Sequence, residues 1–309
     1  MRGVFLLAGL LNFLPAAHAA NSLYSQAFGL PTNQAVIFLH GGPGYNSASF
    51  ELSTAQRLAD SGFYVIVFDQ RGSGRSSTLR GTYKLDEALD DVHEIYRRYG
   101  IKQASLIGHS WGGTLGIFFA DRYPKYVDRL VLTGSPLSYQ HTFKTILRRC
   151  TEHYQMLADS SGLRLMHGIS QMDTGLLLYS SYLFGEAMKC GLYATPNAAS
   201  ESAELWKRCR VDSLFKYFQD MKQAPVFGFY KTLKYTTLVM SEALRRIVEQ
   251  LPVRGIYGRD DGLFDADHFA GIRNVIGADN FVTLDNASHG AFLDQPTEFL
   301  TQVTRALRD

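Results

Sequence analysis

The sequence predicts an α/β architecture: a mostly parallel sheet flanked by helices, with a helical cap inserted part-way along the chain. Three observations predict it. Short continuous apolar runs alternate with helix-period segments in the first half. Strand signal then fades between Leu137 and about Met240, where helix-like runs such as Phe143–Met156 and Glu201–Met221 dominate. Finally, glycine-rich turns follow several apolar runs, at the carboxyl ends where open parallel sheets place their chemistry.

Each element follows in order. Ala35–Leu39 is an apolar strand running into His40-Gly41-Gly42-Pro43-Gly44. Tyr64–Phe68 is another, running into Asp69-Gln70-Arg71-Gly72-Ser73-Gly74-Arg75-Ser76. Leu85, Ala88, Leu89, Val92, Ile95, Tyr96 and Tyr99 recur at helical spacing and form one apolar face. Ala104–Ile107 is a short buried strand, and Thr114–Ala120 starts a helix that stops before Pro124. Leu130–Thr133, Val253–Tyr257 and Phe281–Leu284 supply the later strands. Residues 20–309 therefore divide into a first core half at 20–136, a cap at 137–245 and a second core half at 246–309.

Between Ile107 and Thr114 stands Gly108-His109-Ser110-Trp111-Gly112-Gly113. A sharp strand-to-helix turn forces its central residue into an unfavourable conformation and needs glycines two positions to either side. Gly108 and Gly112 supply that spacing, which marks Ser110 as a candidate nucleophile. Such a serine needs a base, an acid to orient the base, and donors for an oxyanion. Gly258-Arg259-Asp260-Asp261 follows one late strand, and Asp285-Asn286-Ala287-Ser288-His289-Gly290 follows the last. Of the nine histidines only His289 lies beyond that last strand, so it is the expected base. Asp261 is the expected acid, with Asp260 and Asp265 close enough to compete. The Gly42 and Trp111 amides are the expected oxyanion donors, with Gly41 the rival to Gly42.

The Gly72-Ser73-Gly74 turn superficially suggests a dinucleotide loop. Ser77 stands where the third glycine belongs, and no acidic residue ends a suitable following strand, so a nucleotide site is rejected. Asp69 and Arg71 are expected to brace neighbouring loops. No Cys/His spacing fits zinc, and no cofactor is expected. The formal charge of +2 gives no reason to expect a nucleic acid or an anionic lipid as partner.

Together, His40–Gly44, Asp69–Ser76 and Gly108–Gly113 resemble the proline iminopeptidase (prolyl aminopeptidase) branch of the α/β-hydrolases. The likeness extends to Gly258–Asp261 and His289-Gly290, covering both core halves. The resemblance implies an α/β-hydrolase fold, a serine triad without a cofactor, and removal of amino-terminal proline from short peptides. It also implies cap glutamates that hold the substrate's ammonium, near a Trp-x-x-Trp-Glu stretch and a later Glu-x-His-Tyr-Phe stretch. Here those positions fall on Trp206, Cys209 and Arg210, and on Leu214. Glu201 and Glu204, one turn away, are the expected substitutes, beside Trp206.

Two alternatives stand beside an aminopeptidase. One is a carboxylesterase or lactonase acting on small apolar esters; the other is a noncatalytic ligand-binding protein on a hydrolase scaffold. Epoxide or haloalkane hydrolysis by the fold's usual route needs a carboxylate at the elbow, where Ser110 stands.

Arg2, the apolar run Val4–Leu14 and Ala17-His18-Ala19 read as a cleavable export signal over residues 1–19, too short to span a bilayer. Export to a periplasm or medium permits disulfides. Among Cys150, Cys190 and Cys209, the pair nearest in sequence, Cys190 and Cys209, is the expected bridge, against an alternative of three free thiols.

Overall fold

The computed structural model describes residues 22–309. The export-signal reading falls on residues outside that range. Seven strands form one sheet in the order β1-β3-β2-β4-β5-β6-β7. They are β1 (Ser25–Phe28), β2 (Gln34–Leu39), β3 (Phe63–Phe68), β4 (Ala104–His109), β5 (Val127–Thr133), β6 (Val253–Gly258) and β7 (Phe281–Leu284). Among the described residues, β1–β3 is the one antiparallel strand pair of this sheet. β1 is absent from the sequence reading because its residues Ser25, Gln26, Ala27 and Phe28 form a half-buried edge with weak apolar signal.

β3, and β2 after Gln34, are apolar throughout because both faces are covered. In β2, Ile37 and Leu39 pack with Trp111, Leu115 and Phe119 on one side, while Val36 and Phe38 pack with Phe50, Phe292 and Phe299 on the other. Phe38 and Phe50 stack with centroids 3.8 Å apart, and Phe292 meets Phe50 edge-on. Fully burying one such ring stabilises the fold by roughly 1.5–3 kcal/mol.

The helices that matter here are α1 (Leu85–Arg98), α2 (Trp111–Arg122), α3 (Tyr139–Met156), α4 (Ser160–Ser170), α5 (Leu177–Lys189), α6 (Ser200–Val211), α7 (Gln223–Leu233), α8 (Ser241–Val248), α9 (Ala266–Ile276) and α10 (Pro296–Arg308). Helix α1 buries Leu89, Val92, Ile95 and Tyr96, the face that the sequence spacing predicts. From α3 to α8 the chain between β5 and β6 is helical apart from turns and loops, as the fading strand signal predicts.

One helix is shorter than expected. The Glu201–Met221 run breaks after Val211, where Asp212 is extended (φ −82°, ψ 143°) and its carboxylate accepts from the Leu214 amide 2.8 Å away. Asp212 is a helix cap, which periodicity alone did not reveal.

The expected Cys190–Cys209 bridge is absent, and all three cysteines are free. Cys190 ends α5 and lies beside the buried Cys150 of α3, whereas Cys209 packs with Leu205 and Phe218 in a separate cluster. Proximity in sequence was a poor guide because α5 and α6 bury different faces.

Candidate active site

Ser110 sits between β4 and α2 with φ 54° and ψ −121°, a strained conformation for a residue bearing a side chain. Its neighbours explain why the turn is glycine-rich. A Cβ at Gly112 would lie 1.9 Å from the Leu39 carbonyl oxygen, and one at Gly108 would lie 2.5 Å from the Gly113 Cα. At Gly113 it would sit 1.5 Å from Ser135 Oγ. The Ser110 amide donates to the Thr133 carbonyl at 2.9 Å, and Ser135 Oγ donates to the Ser110 carbonyl at 2.9 Å. The end of β5 therefore holds the turn in place.

Beyond β6 and β7, the structure brings Asp261 and His289 together. Asp261 is fully buried, and its Oδ2 lies 2.8 Å from His289 Nδ1. Its Oδ1 accepts from the Leu263 amide at 3.0 Å. The two competing carboxylates are engaged elsewhere. Asp260 accepts from Thr195 Oγ1 at 2.7 Å, and Asp265 accepts from His141 Nε2 and Thr145 Oγ1 at 2.8 and 2.9 Å. Gly134, between Thr133 and Ser135, packs against the His289 ring. The same short stretch of chain thus contacts both Ser110 and His289.

The loop after β2 is shaped by glycine. Gly42 has φ 123°, and a Cβ there would lie 2.5 Å from the Gly44 amide nitrogen. A Cβ at Gly41 would come within 3.0 Å of Ser110 Cβ, so this loop passes directly beside the serine. Trp111 opens α2, where a helix leaves its first amides without intrahelical acceptors. The structure thus places Gly42 and Trp111 on the two segments that flank Ser110.

Gln70 and His40, which the sequence reading did not single out, tie these parts together. Gln70 Oε1 accepts from the Trp111 indole at 3.1 Å, and its Nε2 donates to the His40 carbonyl at 2.7 Å. The Gln70 amide donates to His40 Nε2 at 2.9 Å, and His40 Nδ1 donates to the Gly41 carbonyl at 2.8 Å. Burial lowers the His40 pKa, consistent with a neutral ring that accepts at one nitrogen and donates at the other. The legible clue was position: His40 and Gln70 each follow the end of a neighbouring parallel strand.

Asp69 and Arg71 brace loops as expected. Asp69 accepts from Ser47 Oγ at 2.7 Å and from Arg75 Nε at 2.7 Å, while Arg71 clasps Asp91 of α1 at 2.5 and 3.0 Å.

The cap grips the site from two sides. Ser288 Oγ donates to the Tyr193 carbonyl, the Gly262 amide to the Leu192 carbonyl, and the Tyr193 ring stands perpendicular to His289 with centroids 5.2 Å apart. On the other side the Lys222 amide donates to the Gly44 carbonyl, and Tyr45 and Asn46 donate to carbonyls of Phe218, Tyr217 and Asp220. Of the cap aromatics, Tyr193 stands against the His289 ring. Tyr179 and Phe184 pack edge-on against Phe143, Phe215 and Phe218 pack together, and Tyr182 is exposed. Tyr217 instead lies near the Arg75 guanidinium.

The expected ammonium anchors are not in the site. Glu201 accepts from the Thr297 amide and hydroxyl at 2.8 and 2.5 Å, capping the first turn of α10. Glu204 is exposed and pairs with Lys207 along the same face of α6. Trp206 packs edge-on against Phe215 and Phe218 in the cap's own small core. Helix α6 directs these side chains toward α10, solvent and its own cluster, so proximity in sequence to the resembled motif did not carry its role.

The sheet order, the strained Ser110 turn and the helical insertion define an α/β-hydrolase fold, and a family profile described as "alpha/beta hydrolase fold" matches residues 34–160. Among particular proteins, the chain is similar to the proline iminopeptidase of Saccharolobus solfataricus, 32% identical over 124 residues that cover 39% of each chain. It is also similar to epoxide hydrolase 1 of Caenorhabditis elegans, 23% identical over 84% of this chain and 61% of that one. The chain therefore spans less than two thirds of the length of these curated relatives. The crystal structure of a proline iminopeptidase-related protein from Thermus thermophilus superimposes with a TM-score of 0.66 over 92% of both chains, at 19% identity. Among the described residues no helix is long and apolar enough to cross a membrane.

Proposed function

We propose that the protein is a serine hydrolase that moves the acyl group of a small carboxylic ester or amide to water through an acyl-enzyme on Ser110. The observation that carries this reading is the 2.8 Å contact between Asp261 Oδ2 and the His289 ring, with Gly134 contacting that ring and its neighbours Thr133 and Ser135 holding the strained Ser110 turn. Ser110 Oγ attacks the carbonyl carbon while His289 takes the hydroxyl proton. Asp261 holds Nδ1–H and stabilises the imidazolium. The Trp111 and Gly42 amides receive the oxyanion. His289 returns the proton to the leaving group, and water repeats the sequence to free the acid. Epoxide opening by a carboxylate nucleophile does not fit, because Ser110 occupies the elbow.

For the acyl group, the placement of Glu201 and Glu204 favours an uncharged one, as in a carboxylesterase or lactonase. An ammonium held in a desolvated pocket needs a paired carboxylate or several carbonyls, and both expected carboxylates are committed elsewhere. A second reading, an aminopeptidase releasing proline or a small residue, is favoured by the similarity to proline iminopeptidases. A free amino-terminal proline arylamide, its N-acetylated form and an uncharged aryl ester of similar size separate the two. Indifference to acetylation with faster ester cleavage supports the first reading. Loss of nearly all activity on acetylation moves the assignment to the aminopeptidase.

We also propose export after removal of residues 1–19. Mass measurement of protein recovered from an exporting host tests it, and a chain retaining Met1 in the cytoplasm refutes it.

A further inference from the structure

We infer that His109 is a positioning residue that fixes the loop carrying His289, an inference that rests on the serine-hydrolase reading. His109 ends β4 and immediately precedes Ser110, so its backbone belongs to the nucleophile turn. Its side chain turns toward the other end of the sheet order. Nε2 lies 2.9 Å from the carbonyl oxygen of His289, a residue 180 positions away in the chain. A carbonyl can only accept, so His109 donates from Nε2 and its Nδ1 carries no proton in the neutral ring. That unprotonated edge faces the loop after β2: a Cβ built at Gly41 would meet His109 Nδ1 at 3.2 Å. The ring also packs against the His289 ring, centroids 4.9 Å apart, and meets Phe292 at a near right angle, 5.2 Å away. One buried side chain of the nucleophile turn therefore touches two of the other loops that the proposed chemistry uses, those carrying Gly41 and His289.

The ring stays neutral in working conditions, since burial, with a smaller contribution from the nearby His289, brings its pKa down to about 3. A permanently neutral donor suits this task, because it fixes a backbone carbonyl without competing for the proton that His289 shuttles. Asp261 orients the His289 ring from the side-chain end. His109 anchors the same residue from the main-chain end, and a base held at both ends keeps its distance from Ser110.

His109→Phe keeps an aromatic ring of similar size and deletes the donor. His109→Gln places an amide N–H where Nε2 was and keeps the donor. The readout is the rate at which a fluorophosphonate labels Ser110, which requires no knowledge of the natural substrate, with the melting temperature recorded for each variant. Misplacement of a catalytic group by about 1 Å costs on the order of 10²-fold, so labelling of His109→Phe falls by that order while the protein remains folded. His109→Gln restores most of the rate. Labelling of folded His109→Phe at the unsubstituted rate overturns the inference, as does a folded His109→Gln as slow as His109→Phe. An unsubstituted protein that is never labelled refutes the serine-hydrolase reading itself, and this inference with it.

Discussion

Gly134 lies against the His289 ring: a Cβ built at Gly134 would come within 3.1 Å of both Cε1 and Nδ1. Its φ of +55° is also costly for any residue with a side chain. Gly134→Ala therefore carries two penalties of different kinds. Backbone strain lowers stability by about 1–2 kcal/mol, which a denaturant midpoint reads. The displaced imidazole lowers turnover on the order of 10²-fold. Turnover that falls only in proportion to the unfolded fraction would show that the ring tolerates the added methyl group.

Asp261 and Asp260 are adjacent in the chain and differ in what they touch. Asp261→Asn removes the acceptor that orients His289, and its turnover falls by about 10⁴-fold, the size seen when a triad acid becomes an amide. Asp260→Asn weakens a contact from Thr195, on the loop before α6, and keeps turnover within the same order of magnitude. Steady-state rates of the two variants on one aryl ester decide between them; a larger loss at Asp260 would reverse the assignment.

Much of this site was legible because its parts are local. The Gly108 to Gly112 spacing reports a backbone that comes within van der Waals reach of Leu39 and Gly113, and only glycine fits there. His289 stood out by chain order, and Asp261 by following β6. The cap was not legible in the same way. Whether Glu201 faces a substrate or the amide of Thr297 depends on contacts across 96 positions of chain, and no periodicity records them. The same applies to His40 and Gln70, whose roles depend on the register between β2 and β3.

Acid weakens the fold from near neutral pH. His109 and His268 are buried, and burial brings each pKa down to about 3. In the unfolded chain a histidine protonates near its ordinary value of about 6.5. As pH falls through the interval from about 6.5 to 3, the unfolded state binds protons that the folded state refuses, so stability falls. Above about 6.5 that contribution is fully present. Denaturant midpoints measured from pH 7.5 down to 4.5 are expected to decline steadily, and His268→Gln is expected to reduce the slope. A flat profile for the unsubstituted protein would contradict the neutral, buried state of these rings.

Asp265 responds in a lower window. Burial would raise its pKa, but hydrogen bonds from His141, the His268 amide and Thr145 outweigh that and hold it at about 2. Its contribution is present above about 4, the ordinary carboxylate value, and is lost as pH falls from there toward 2. Because the pair with His141 is partly exposed, Asp265→Asn costs no more than about 1 kcal/mol at pH 7, read as a small drop in melting temperature. No drop at all would show that the link from α3 to α9 contributes nothing.

The cysteines give a chemical check on the cap. Alkylation of the unfolded, unreduced protein is expected to modify Cys150, Cys190 and Cys209 alike. Two protected thiols that appear only after reduction would show a bridge, and peptide mapping would identify it.

The proposed chemistry depends above all on Ser110 as the nucleophile. Turnover of an aryl ester by Ser110→Ala, compared with the unsubstituted protein at matched folded concentration, is the most direct measurement. Ser110→Ala is expected to lose about 10⁶-fold in turnover, the scale of removing a triad serine, with an unchanged melting profile and no acyl adduct by intact mass. Full turnover by a folded Ser110→Ala would contradict that chemistry.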